Sequence, residues 1–225
     1  PAEIGVVADA RATMTLLHDR LDGFQGGDRD AAAQRARNVR REIVANLSRS
    51  EQQHAAVLDI LAEVAPDDTI WSGDACQLVY TGAFAMPVKG PRRWFYPAGY
   101  CALGNALPNA IGASLARPDS PVAVLAGDGG FMFTMPELMT AVDLELPLPI
   151  VIWENGGLKQ IQDDMDGRDI ARVGVEGSNP DFMLLARACH CHGVDAGSPE
   201  ELKLAFQTAL RADRPTVIVY HEQRD

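Results

Sequence analysis

Two oxygen-bearing side chains frame the chemistry open to this chain: Asp128 in Gly127-Asp128-Gly129-Gly130, and Asn155 in Asn155-Gly156-Gly157. Each ends an apolar run short enough to be a buried strand, residues 121–126 before the aspartate and 149–153 before the asparagine. If those strands lie parallel and side by side, both oxygens reach one edge of a sheet, separated by a glycine-rich turn and a helix. A hard divalent cation such as Mg²⁺ takes oxygen ligands of this kind, and a phosphate beside it takes backbone N–H donors. Gly-Asp-Gly alone is a turn in which the aspartate caps a helix and the glycines serve the backbone. The joint order of strand, Gly-Asp-Gly-Gly, amphipathic helix, strand and Asn-Gly-Gly is what points to a ligand at strand carboxyl ends.

The elements that must position these residues alternate from about residue 51 onward. Helical patterns cover 52–64, 105–116, 135–144, 158–165, 181–189 and 200–211, with a helix or turn at 76–81. Strand patterns cover 69–72, 93–96, 121–126, 149–153, a short stretch at Val194, and 216–220. Such alternation predicts an α/β fold: a doubly wound parallel sheet with helices on both faces. The first 50 residues read differently. A short strand at 4–8, a helix from the cap Asp9 to Leu21, a glycine-rich connection at 23–30 and a polar helix at 31–48 suggest the tail of a preceding domain plus a linker helix. Arg35, Arg37, Arg40 and Arg41 form a solvated face of that helix, and 51–225 is expected to be the C-terminal domain.

Composition narrows the class. At 225 residues the chain can bury one substantial core. A net charge of −11 argues against nucleic acid as a partner. No apolar run approaches the roughly 20 residues that span a bilayer, and no signal peptide is visible, so a cytoplasmic protein without a membrane partner is expected. The chain starts without methionine, which fits a fragment or processed product. With four cysteines, unevenly placed, a disulfide framework is not expected. Cys189-His190-Cys191-His192 lacks a second ligand pair at metal-site spacing and reads as a helix end leading into a strand. His18, His54 and His221 stand alone in surface-like contexts.

From about residue 51 to 220 the chain resembles the C-terminal cofactor-binding domain of the acetolactate-synthase-like thiamine-diphosphate enzymes. The resemblance is carried by Tyr-Cys-Ala-Leu-Gly-Asn-Ala-Leu-Pro-Asn-Ala-Ile-Gly-Ala at 100–113, Gly-Asp-Gly-Gly-Phe at 127–131, Met-Pro-Glu-Leu at 135–138 and Asn-Gly-Gly at 155–157. Within that group, Gly-Asp-Ala-Cys-Gln at 73–77 and the segment 173–182 look closest to guanidino-oxopentanoate decarboxylases, and Pro1-Ala-Glu-Ile resembles the end of the family's middle domain.

The resemblance implies a thiamine-diphosphate-binding fold, thiamine diphosphate and Mg²⁺ as cofactors, and a 2-oxo acid as substrate of a decarboxylase or carboligase. Asp128, Asn155 and the Gly157 carbonyl would be the protein's metal ligands, with two diphosphate oxygens and a water completing six. Gly127, Gly129, Gly130 and Leu158 would belong to the cofactor seat, with Gly129 and Gly130 letting backbone approach the phosphates. The loop holding Asp74, Cys76 and Gln77 matches a diphosphate-side loop, although Asp74 reads equally as a helix N-cap. Leu103 would be the wedge that bends the cofactor, and the Cys101 carbonyl would accept a hydrogen bond from its pyrimidine amine.

The chain also departs from the family pattern. Glu154 stands where an asparagine is usual, Leu158 and Lys159 replace an aromatic and a glycine, and Ala75 and Cys76 replace small hydroxyl residues. A carboxylate at 154 would repel a diphosphate unless it points away. The family's catalytic glutamate belongs to an N-terminal pyrimidine-binding domain that this sequence does not contain. The expectation is therefore a half-site, inactive alone, that needs that domain from the same or another chain and assembles as a homo-oligomer. A fragment of an acetolactate synthase large subunit is one alternative. A non-catalytic nucleotide-binding-like α/β scaffold is another, although Met132 stands where Gly-x-Gly-x-x-Gly needs its third glycine. Gln162 is a candidate for selecting the acyl group.

Overall fold

The computed structural model describes residues 3–24 and 26–223. Its contacts divide the chain into two units between residues 43 and 44. In the first, α1 (Ala10–Arg20) begins where the Asp9 carboxylate accepts the Ala12 N–H at 2.9 Å. The second helix, α2 (Arg29–Ala45), like α1, buries no residue. Residues 4–8 form bends and coil rather than the expected strand, because a strand needs a neighbour to take its N–H and C=O groups and this segment pairs with none. Of the segment likened to a middle domain, Pro1 and Ala2 lie outside the described residues.

The second unit opens with α3 (Arg49–Val64), which starts before the expected residue 52 because Ser48 and Glu51 form a reciprocal cap. The Ser48 hydroxyl accepts the Glu51 N–H at 3.3 Å, and the Glu51 carboxylate accepts the Ser48 N–H at 2.8 Å. Alternation then follows: β1 (Ile70–Gly73), α4 (Gln77–Ala85), β2 (Trp94–Phe95), α5 (Ala106–Ala116), β3 (Val122–Gly127), α6 (Asp128–Thr134) and α7 (Glu137–Asp143). After these come β4 (Pro149–Glu154), α8 (Lys159–Asp166), α9 (Phe182–Ala188), β5 (His192–Ala196), α10 (Pro199–Ala209) and β6 (Thr216–His221). The helix expected at 135–144 is α7, while the glycine-rich turn ahead of it winds into a short helix of its own, α6. Pro136, which has no N–H to continue a ladder, sits at the start of α7 and separates it from α6.

The six strands form one parallel sheet in the order β2-β1-β3-β4-β6-β5. Side chains alternate between two cores, as the strand period requires. Leu125, Val151, Trp153, Ile218 and Tyr220 pack against α3, α4 and α10 through Leu58, Leu61, Leu78 and Phe206. Val124, Ile150, Ile152, Val217 and Val219 pack on the opposite face against α5, α6, α7 and α9 through Leu107, Phe131, Leu138 and Phe182. The doubly wound α/β fold with helices on both faces is thus present. The chain leaves β1 toward β2 on one side and returns to β3 on the other, so the strand order reverses between β1 and β3. A crevice opens at the carboxyl ends beside such a reversal.

Candidate functional site

That crevice is a cleft of about 190 Å³. Its lining gathers Cys76, Gln77, Cys101, Leu103, Gly127, Asp128, Gly129, Gly130, Asn155, Gly157 and Leu158, with Tyr80 and Lys159 beside them. Parallel register explains the convergence: Gly127 at the end of β3 pairs with Trp153 near the end of β4, so the next residues of both strands leave the sheet together. Every residue singled out for the cofactor lies here except Asp74.

Asp74 is buried beneath the cleft, with 1% of its surface exposed. Its two oxygens accept the Gly104 N–H at 2.9 and 2.8 Å, and one also accepts the Ala75 N–H at 2.9 Å. It caps no helix, since α4 starts after Cys76 without a side-chain cap. Burial pushes the Asp74 carboxyl up, against the backbone N–H groups that favour its charge. The Thr134 hydroxyl donates to the Gly104 carbonyl at 2.6 Å, so the loop bearing Leu103 is clamped from both sides. Asp74, expected on the diphosphate side, therefore reaches the cleft only through the Leu103 loop that it holds.

The glycines of the motif serve this interlocking of loops. A Cβ on Gly130 would stand 2.5 Å from Asp74 Oδ2, one on Gly129 3.0 Å from Leu158 Cδ2, and one on Gly127 2.9 Å from Cys76 Cβ. The room expected for phosphates at Gly129 and Gly130 is filled by neighbouring side chains on the face where a Cβ would stand. Gly104 has φ of 81°, a left-handed value that a side chain disfavours.

Asp128, 1% exposed, carries the densest hydrogen bonding at the site. Its Oδ1 accepts the Gly129 N–H at 2.8 Å. Its Oδ2 accepts the N–H groups of Gly156 at 2.8 Å and Gly157 at 3.0 Å, and the Asn179 Nδ2 at 2.8 Å. The backbone N–H groups of the Asn-Gly-Gly turn are thus spent on the aspartate rather than turned toward a phosphate. A buried carboxylate that faces N–H dipoles alone retains most of its charge, which a cation would offset. With one donor on Oδ1, that oxygen keeps a lone pair for such a cation, so the residues present fit a metal held by oxygen. Among the described residues no cluster of three or more His, Cys, Asp or Glu forms a metal cage of protein ligands alone.

Asn155 arrives at the neighbouring strand end, but its side chain is engaged by Glu222. Burial pushes the Glu222 carboxyl up, but the His54 ring 3.6 Å away, a hydrogen bond from Asn155 and the Lys159 charge outweigh it and hold the group below its ordinary value. Asn155 lines both the cleft and an adjoining hollow of about 570 Å³ where Glu222, Arg172 and Glu176 also lie. Glu222 can accept only from the Asn155 amide nitrogen, so that bond fixes the amide without using the side-chain oxygen that would meet an ion held by Asp128.

Two histidines expected to stand alone belong to this network. His54 is buried, meets Trp153 edge-on at 5.0 Å, joins Thr81 Oγ1 through Nδ1 at 2.9 Å, and lies 3.6 Å from Glu222. His221 bridges Glu154 Oε2 at 2.5 Å and Asp195 Oδ1 at 2.9 Å. Glu154 accepts the Asn179 amide at 2.8 Å on its other oxygen, so the carboxylate that replaces the family's asparagine is held by these two partners. Gln162, the candidate for selecting the acyl group, is buried and donates to the Val175 carbonyl at 2.9 Å. Cys191 is buried with its thiol on the Cys189 carbonyl, and His192 pairs with Asp213. The partners of Asn179, His54 and Glu222 escaped the sequence reading because they are distant in the chain; only the likeness of segment 173–182 drew attention to Asn179.

In the cleft itself, burial pushes the Cys76 thiol and the Tyr80 hydroxyl up to about 12, keeping both protonated at neutral pH. Cys101 is exposed and held at φ of 51°. Tyr100, 93% exposed, and Phe133, 65% exposed, leave large apolar surface beside the Leu103 loop. Among the described residues no helix is long and apolar enough to cross a membrane.

Residues 74–220 match the family described as thiamine pyrophosphate enzyme, C-terminal TPP binding domain. Over 219 residues the chain is 44% identical to the probable 2-ketoarginine decarboxylase of Pseudomonas aeruginosa, covering 97% of this chain and 39% of that protein. It is 29% identical over 231 residues to the large subunit of acetolactate synthase isozyme 3 of Escherichia coli, covering 97% of this chain and 40% of that one. Among solved structures, the thiamine diphosphate-dependent 4-hydroxybenzoylformate decarboxylase of Rhodococcus jostii RHA1 superposes with a TM-score of 0.71 at 28% identity, over 76% of this chain and 33% of that chain. The chain thus spans about two-fifths of the length of these two curated relatives.

Proposed function

The chain belongs to the thiamine pyrophosphate enzymes, and on that premise we propose that it is the cofactor-holding part of a thiamine-diphosphate- and Mg²⁺-dependent 2-oxo acid decarboxylase. Thiamine diphosphate, when bound, supplies the electron sink for breaking the bond between a keto carbon and its carboxylate. The chain's own residues bind and orient. Asp128 Oδ1 holds Mg²⁺, and the Asn155 side-chain oxygen and the Gly157 carbonyl complete the protein's share of its ligands. Gly127, Gly129, Gly130, Leu158, Cys76 and Gln77 line the seat. Leu103 is the bending wedge, kept in place by the grip of Asp74 on Gly104. The Cys101 carbonyl takes the hydrogen bond from the aminopyrimidine.

The observation that carries this reading is the buried Asp128 carboxylate, which keeps a free lone pair at the head of a cleft in which these residues converge. The substrate proposed is a guanidino 2-oxo acid, supported by 44% identity with a protein named for 2-ketoarginine. The activating glutamate is proposed to come from a pyrimidine-binding domain of the same or another chain, in a cytoplasmic homo-oligomer, with the exposed Tyr100 and Phe133 near that contact. By itself this chain is expected to bind cofactor without turnover.

Calorimetric titration of the 225-residue chain with thiamine diphosphate, with and without Mg²⁺, tests the reading. Binding that requires the metal is expected. An absence of heat under both conditions would refute the proposal and favour a scaffold that has lost its ligand. Release of carbon dioxide from 2-ketoarginine by the isolated chain would contradict the half-site.

A further inference from the structure

Resting on that function, we infer that Asn179 is a positioning residue that confines the metal to one oxygen of Asp128 and so favours Mg²⁺ over a larger ion. Asn179 lies 51 positions from Asp128, just ahead of Pro180 and of Asp181, whose carboxylate accepts the Leu184 N–H at 2.9 Å to start α9. The anchored helix start holds the asparagine at the cleft. Its Nδ2 donates to Asp128 Oδ2 at 2.8 Å and to Glu154 Oε1 at 2.8 Å. An amide nitrogen carries two hydrogens, so both are used and the amide has one orientation; turned over, its oxygen would face two carboxylates.

The consequence falls on Asp128. With Gly156, Gly157 and Asn179 all donating to Oδ2, that oxygen has no direction left for a cation. A metal is left with Oδ1, a one-oxygen attachment. Mg²⁺ takes six ligands at near-octahedral angles and suits a carboxylate bound through one oxygen, whereas Ca²⁺ accepts both oxygens at once. Behind the asparagine, Glu154 is itself fixed by His221, which Asp195 holds at 2.9 Å. The glutamate that departs from the family pattern thus becomes the second anchor of the amide. Groups behind a metal ligand characteristically change metal affinity by 10- to 100-fold when removed.

The test is titration of Mg²⁺ and, separately, Ca²⁺ into the chain at saturating thiamine diphosphate, for the parent, Asn179→Ala and Asn179→Leu. Both variants are expected to bind Mg²⁺ about tenfold more weakly. Ca²⁺ affinity should change by less than about threefold, because loss of the third donor opens one position on Oδ2, beside the Gly156 and Gly157 N–H groups that remain, to the larger ion. A parent-like Mg²⁺ constant in a folded variant overturns the inference. So does equal weakening for both ions, the mark of general loosening. Asn179→Leu keeps the side-chain volume and carries the comparison if Asn179→Ala proves unstable. Absence of metal-dependent binding in the parent would instead sink the proposed function, and this inference with it.

Discussion

Gly130 occupies the first turn of α6, where exchanging glycine for alanine would ordinarily stabilise a helix by about 1 kcal/mol, because alanine loses less backbone freedom on folding. At this position the sign is expected to reverse. The added Cβ would lie 2.5 Å from Asp74 Oδ2, 3.1 Å from Asp74 Cγ and 3.6 Å from Leu103 Cδ2. Carbon and oxygen do not approach so closely without a bond, so one side must yield. Asp74 has a short side chain, is 1% exposed and is held by the N–H groups of Gly104 and Ala75. Loss of one such hydrogen bond to a charged acceptor costs about 1.5–3 kcal/mol, and overpacking adds about 1–3 kcal/mol. One bond and the low end of the packing penalty, set against the helix gain, leave a net loss of about 2 kcal/mol for Gly130→Ala. Gly112 in α5 is the matched control, since a Cβ there meets nothing within 4 Å. Gly112→Ala should gain about 0.5–1 kcal/mol. Urea denaturation followed by far-ultraviolet circular dichroism would measure both. If Gly130→Ala proves as stable as the parent, or shifts in step with Gly112→Ala, the interlocked-loop argument is wrong.

Asp74 also carries a pH signature. Its folded value lies above the ordinary 3.8, so the stability it lends is fully present below 3.8 and is lost as pH rises through the raised value. Asp74→Asn cannot titrate; the stability difference between parent and variant should therefore shift against the parent between pH 3.8 and the raised value, and a flat difference from pH 4 to pH 7 would contradict it. The cysteines of the cleft should separate on alkylation at pH 8 read by peptide mass spectrometry. Cys76, pushed up to about 12, holds about one part in ten thousand as thiolate and should stay unlabelled while exposed Cys101 reacts. Added thiamine diphosphate and Mg²⁺ should slow the labelling of Cys101, which lines the same cleft; comparable labelling of both cysteines would refute the raised value of the Cys76 thiol.

The sequence by itself determined the frame. Apolar runs too short for helices, separated by amphipathic stretches and punctuated by glycine, require a parallel sheet covered on both faces, because both faces of each strand are apolar. The same runs end at Asp128 and Asn155, so their arrival at one sheet edge follows from strand length and parallel pairing alone. Local signals served less well at residues 4–8, where an expected strand has no neighbour, and at 128–134, where the expected glycine-rich turn winds into a short helix.

Only the tertiary structure decided what each group at that edge is free to do. It spends Asp74 on Gly104, fills the space beside Gly129 and Gly130 with Leu158 and Asp74, turns Asn155 to Glu222, and brings Asn179 across 51 positions to Asp128. Backbone pattern is written in neighbours along the chain, where periodicity is visible. The direction of a lone pair is set by donors that meet it through space, and those come from loops whose mutual approach no local pattern records.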